Sequence, residues 1–392
     1  MFKMVSKIRV VFGGWYQRTT LHLSEVHRFL LHGTSELDLD KEKLKILRTG
    51  LGLMSVNRIV GHLEYLEVET KSGVRLKYFE DGLYVLSKES ADVSKTKKEI
   101  ENYFHDKFSP AINYLFSLGA PTPKILSNMK EVHPFVIERV VEDVSKSKVG
   151  AEFGEVYLET HSKDIKVSKT KENIIVDVSG GKKKELATLT EMQIFFSDFK
   201  LQLHKYLDIH RKIWEEIDAI GKKEFVRGKD IGDYKAKLDS YQKTVQLIRN
   251  RINQMNNYAR TRRDISRKIK INDSLNDLFQ YKFEDLFNTL EYIKEVWVMT
   301  LDYVNSAIRV LEDAEKGIRG KGINSIQFLI GVGIISGIIK YLGPTTFPKI
   351  ALSGILYVLG FGFLALVLNK IIIWNSERKK YRVSFVERTS KL

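Results

Sequence analysis

Asn324, Gln327, Gly331, Ile334, Ile338 and Tyr341 recur at heptad-like spacing inside an otherwise apolar run near the C-terminal end of the chain. An amide is costly against lipid, so Asn324 and Gln327 must face a partner helix, water or an interface. Two chemistries fit. The stripe lines a path for ions in an oligomer, or it marks the headgroup end of a membrane segment. Gly333 and Gly337 form a Gly-x-x-x-Gly pair on another face, which permits close helix packing. The apolar runs at about 323–342 and 350–374 each approach the roughly 20 residues that cross a bilayer core of about 30 Å. Gly343, Thr345 and Thr346 lie in the connector between them, where an outer mouth would be.

Other chemistry is sparse. No Gly-x-x-x-x-Gly-Lys-Ser/Thr loop, His-Glu-x-x-His pair or Gly-x-Ser-x-Gly elbow occurs, so the chain does not read as an enzyme. It has no cysteine, which excludes disulfides and thiolate chemistry. His22, His27 and His32 are spaced by five and would spread around a helix; His204 and His210 fare no better as ligands. Asp38 and Asp40 read as an acidic turn before a cation site. The net charge is +15, and the most basic stretch, 249–270, holds Arg249, Arg251, Arg260, Arg262, Arg263, Arg267, Lys268 and Lys270 against Asp264. Anionic lipid, positive-inside packing or salt bridges all fit this stretch. Nucleic acid is disfavoured because Tyr258 is the one aromatic residue nearby to stack on bases.

The elements that must position these residues follow from periodicity. Residues 1–180 read as an α/β domain on the cytoplasmic side. Leu63–Glu69, Val74–Phe79 and Leu83–Ser87 form one meander; Val156–Glu159, Ile165–Val167 and Ile174–Val178 form a second. Ser94–Leu118 is helical but kinked or split at Pro110, and Gly119–Pro123 is a break. Residues 186–322 form a helical stalk. Its first helix opens at a Thr188–Glu191 capping box. A second, from Gly232 to about Ile269, carries the stripe Tyr234, Leu238, Tyr241, Val245, Ile248, Ile252 and Met255. A third starts near Lys282 with Phe283, Leu290, Trp297, Val304 and Leu311 every seven residues; its seam packs within the chain or between subunits. The expected fold class is thus an α+β domain, long antiparallel or coiled-coil helices and a transmembrane hairpin over 323–374. A basic tail, 375–392, follows. Its cations place both termini in the cytoplasm of a multi-pass cell-membrane protein.

This order, with the stretch Phe283–Ile339 and the tail Glu377-Arg-Lys-Lys-Tyr-Arg382, resembles the CorA-type divalent-cation transporter superfamily. The resemblance implies a homo-oligomer, pentameric in that family, in which the first membrane helix lines a pore for metal cations such as Mg²⁺, with Asn324 at the matching polar position. The family's Gly-Met-Asn signature is absent; Gly343-Pro344-Thr345 stands there. The other reading from the residues is a membrane-tethered scaffold or sensor whose basic coiled coil recruits a partner or anionic lipid.

Overall fold

Strand β1 (Ile8–Trp15) is buried at every position from Val10 to Trp15, and it lies in the middle of a sheet. A computed structural model describes residues 8–16, 22–116, 134–180, 183–223, 225–280, 282–341 and 352–382. Contacts divide the chain into two compact units, one of Met1–Ile209 with Ile248–Glu295 and one of His210–Leu247 with Val296–Leu392.

In the first unit, the described strands are β1, β2 (Leu53–Ile59), β3 (Tyr65–Thr70), β4 (Arg75–Phe79), β5 (Leu83–Ser90), β6 (Phe135–Val140), β7 (Leu158–His161), β8 (Ile165–Lys169) and β9 (Asn173–Val178). They form one sheet in the order β2-β3-β4-β5-β1-β6-β9-β8-β7. Both expected meanders are present as consecutive antiparallel neighbours. They are not separate, because β1 pairs antiparallel with β5 and β6, and β6 pairs parallel with β9. Helices α1 (Leu23–His32), α2 (Lys41–Gly50), α3 (Val93–Tyr103) and α4 (Ser109–Leu115) share one hydrophobic core with the sheet, including Phe12, Phe29, Leu86, Ile100 and Phe108. The helix expected over 94–118 is split as Pro110 requires: a π-helical turn, Phe104–Phe108, joins α3 to α4, and the proline takes the first turn of α4. Gly119–Pro123 lies outside the described residues.

The helical region is α5 (Lys183–Gly221), α6 (Gly228–Lys268), the short α7 (Asn272–Phe279), α8 (Phe283–Tyr341) and α9 (Leu352–Arg378). The Thr188–Glu191 box is not a cap, since both residues lie inside α5. The side chains of this turn are held by the sheet instead. Thr190 Oγ1 donates to Glu138 at 2.8 Å, and Glu191 takes an ion pair from Lys77 at 2.9 Å. The stripe of α6 continues further than the sequence suggested: Val245, Ile248, Ile252, Met255, Ala259, Arg262 and Ser266 are all buried at alternating three- and four-residue steps. The α8 seam is filled by the chain's own side chains, with Phe283, Leu290, Trp297, Val304 and Leu311 buried.

The C-terminal region requires a correction. Helices α8 and α9 occupy it, but among the described residues no helix is long and apolar enough to cross a membrane. That finding overturns the transmembrane hairpin of the expected fold class. With it go the membrane and ion-transport terms and the multi-pass cell-membrane placement. A crossing needs about 20 residues with little charge. Much of α8 is instead amphipathic, with Glu291, Glu295, Asp302 and Arg309 exposed between its seam residues. The last turns of α9 carry Asn369, Lys370, Asn375 and Ser376.

Within the second unit, Trp214 packs on Tyr303 with ring centroids 4.5 Å apart, and His210 meets the edge of Trp297 at 6.0 Å. Lys235 Nζ lies 3.3 Å from both Glu312 and Glu315, and Gln242 donates to Asn305 at 2.8 Å. Burial holds the His210 imidazole below its ordinary range, and its buried Nε2 has no hydrogen-bond partner among the described residues. The unfolded chain therefore takes the proton first. Stability is complete above the ordinary imidazole value of about 6.5 and is lost as pH falls below it, at a slope no greater than about 1.4 kcal/mol per pH unit. We expect the urea midpoint to drop more between pH 7.5 and 5.5 in the wild type than in His210→Gln. Equal drops would show that His210 carries none of the acid sensitivity.

Candidate anion-binding site

The expected pore residues all lie on α8, where side-chain surroundings are described only for residues 327 and 331. Gln327 is exposed and Gly331 half-buried, with open space where a Cβ would stand on Gly331. The surroundings of Asn324, Gly333, Ile334, Gly337, Ile338 and Tyr341 lie outside the described residues, as do Gly343, Thr345 and Thr346 altogether. Among the described residues no three His, Asp or Glu side chains are grouped to hold a metal. Asp40 caps α2 by accepting from the Lys43 N–H at 2.7 Å.

The basic stretch of α6 is largely engaged by the first unit itself. Arg262 is buried and makes a bidentate ion pair with Asp81, at 2.6 and 2.9 Å. Its guanidinium lies 4.9 Å from the ring centroids of both Phe79 and Phe195. Arg263 and Arg260 lie over Phe287, at 4.9 and 6.0 Å. Arg267, Lys268 and Lys270 stay exposed at the C-terminal end of the helix, where cations suit the helix dipole.

A different cationic group is assembled in the second unit. After α5 the chain forms β10 (Phe225–Arg227) and enters α6 at once. After α9 it forms β11 (Lys380–Arg382). The two strands pair antiparallel, with Phe225 opposite Arg382, Val226 opposite Tyr381 and Arg227 opposite Lys380. Two features fix this ribbon. Val226 is buried. The Gly228 N–H donates to the Lys379 carbonyl at 3.0 Å. Residue 228 must be glycine, because a Cβ there would sit 2.6 Å from the Ser376 carbonyl oxygen and 2.9 Å from the Glu377 Cα.

Beside the ribbon is a cavity of about 240 Å³ lined by Lys223, Phe225, Val226, Arg227, Lys229, Asp230, Tyr234 and Lys380. The lining thus holds four cations and one carboxylate. Lys223 Nζ donates to the Tyr234 hydroxyl at 2.5 Å and lies 4.9 Å from its ring centroid. Among the described residues no carboxylate forms an ion pair with Arg227, Lys229 or Lys380. The positive end of the α6 dipole adds to the potential there. The four cations of the described wall give it a positive potential that suits an anion. In the sequence Arg378, Lys379, Lys380 and Arg382 read as tail charge; nothing in their spacing reports that Lys380 and Arg382 meet residues 225–227. No known protein-family model matches the chain, and no curated protein matches it in sequence.

Proposed function

We propose that the chain is a sensor or scaffold whose helical second unit takes up a phosphate-bearing anion, and that it is not an enzyme. The observation that supports this is the cavity beside β10 and β11, where Lys223, Arg227, Lys229 and Lys380 surround one space, with Asp230 as the sole lining acid among the described residues. Unpaired cations packed this closely repel one another, and a multivalent anion relieves that repulsion while accepting several charge-assisted hydrogen bonds. Each such bond contributes about 1.5–3 kcal/mol. Titration calorimetry with inorganic pyrophosphate tests the reading. Binding should weaken as salt rises, and Arg227→Glu/Lys229→Glu should lose at least about tenfold in affinity, the equivalent of one such bond. Both side chains are exposed, so the variant keeps its core. Affinity unchanged in the double variant would refute the site.

A further inference from the structure

We infer that β10 and β11 are a latch, and that a phosphate-bearing anion closes it. This deepens the reading above and rests on it. The ribbon has three residues in each strand, and an isolated two-stranded ribbon is marginal in water even when longer. Its register also sets like charges against each other. Arg227 and Lys380 are directly opposite, as are Phe225 and Arg382. Directly opposed residues of an antiparallel pair project to the same face, and like charges there are destabilising. One face therefore carries Arg227, Lys380 and Arg382 together. Lys223 and Lys229 stand on the cavity wall, and among the described residues Asp230 is the one lining acid against them.

The forces that close the ribbon are on its other side: the buried Val226, and the tight backbone passage of Gly228 past Ser376 and Glu377. Closure without a ligand is thus a balance between backbone pairing and cation repulsion. An anion in the cavity touches both strands at once, through Arg227 on one and Lys380 on the other. It binds the closed state and not the open one. A ligand with that preference shifts the equilibrium by its differential affinity. Because β11 follows α9 directly, with the Lys379 N–H bonded to the Asn375 and Ser376 carbonyls, closure also fixes the C-terminal end of α9. Ligand occupancy would be transmitted along the chain in this way.

Hydrogen exchange of the full chain tests the latch. With pyrophosphate at about ten times its dissociation constant, the ribbon amides of 225–227 and 380–382 should exchange about tenfold more slowly. Sodium chloride at matched ionic strength should not reproduce this. In Lys380→Glu the cross-strand repulsion becomes attraction, so the ribbon should be protected without ligand and pyrophosphate should add nothing. Lys380→Gln, which removes the repulsion without reversing it, should lie between. Equal protection by sodium chloride would overturn the latch, since simple screening would then explain closure. Unchanged exchange while calorimetry shows pyrophosphate bound would overturn the latch and leave the site standing. Absence of pyrophosphate binding would overturn both.

Discussion

Replacing Arg262 by methionine should destabilise the first unit by about 3–5 kcal/mol, the usual result of leaving a buried carboxylate without its partner. The pair is nearly sealed: the side chains of Arg262 and Asp81 are 3% and 1% exposed. Asp81 also shapes the β4–β5 turn. Its carboxylate accepts from the Leu83 N–H at 3.1 Å, and its carbonyl accepts from the Trp15 indole at 2.5 Å. The next residue, Gly82, has φ of +89°, and its carbonyl oxygen accepts from the Tyr16 N–H at 2.9 Å. The guanidinium therefore holds a turn, a strand end and the α6 stripe together, and it stacks between Phe79 and Phe195 as it does so. In Asp81→Asn/Arg262→Met the stranded charge is gone, and a large part of the loss should be recovered. Urea midpoints of the two single variants and the double variant give the coupling directly. A single-variant loss below about 1 kcal/mol would mean that Asp81 is solvated, as surface pairs are, and would contradict the burial.

The second large effect belongs to the other unit. Trp297 is fully buried on the α8 seam, and truncation to alanine should cost about 3–5 kcal/mol. Its indole Nε1 is buried with no hydrogen-bond partner among the described residues. An unsatisfied buried donor itself costs about 1–3 kcal/mol. Trp297→Phe removes that donor while keeping most of the ring, so the cavity loss and the relieved donor nearly cancel. The expected change is under about 1.5 kcal/mol in either direction. Thermal or urea unfolding of both variants decides this. If Trp297→Phe cost as much as Trp297→Ala, the indole N–H would have to be bonded and the account of this seam would fail.

What could be read from the sequence was local. The two meanders, the division at Pro110 and the start of α8 beside Lys282 all follow from turn chemistry or period over a few residues. The central strand escaped because its pattern is unlike that of an exposed-face strand. β1 combines Arg9, a buried run and Gly13-Gly14, and only its neighbours β5 and β6 explain it. Gly13 is required there because a Cβ would stand 2.5 Å from the Tyr84 carbonyl oxygen. Arg262 was visible as one charge of a basic stretch for which salt bridges were one of the open readings, but its partner was not. A usable signal existed: it falls on the three-four stripe that runs through Ile252, Met255 and Ala259, where a charge implies a buried partner. Apolar run length led to the membrane hairpin. The candidate cavity had no signal at all, since it depends on two three-residue strands from opposite ends of the second unit.

The placement of β1 has a consequence for how the chain is made. Its neighbours arrive late: Val10 pairs with Lys88 on one side and with Ile137 on the other. A ribosome adds roughly 5–20 residues per second, so the strand waits roughly 6–25 seconds for its second flank. During that interval Val10, Val11, Phe12 and Trp15 have at most the β5 side of the sheet to join. Nascent chains halted before β6 should be bound by holdase chaperones through this segment and released once the region around Ile137 has emerged.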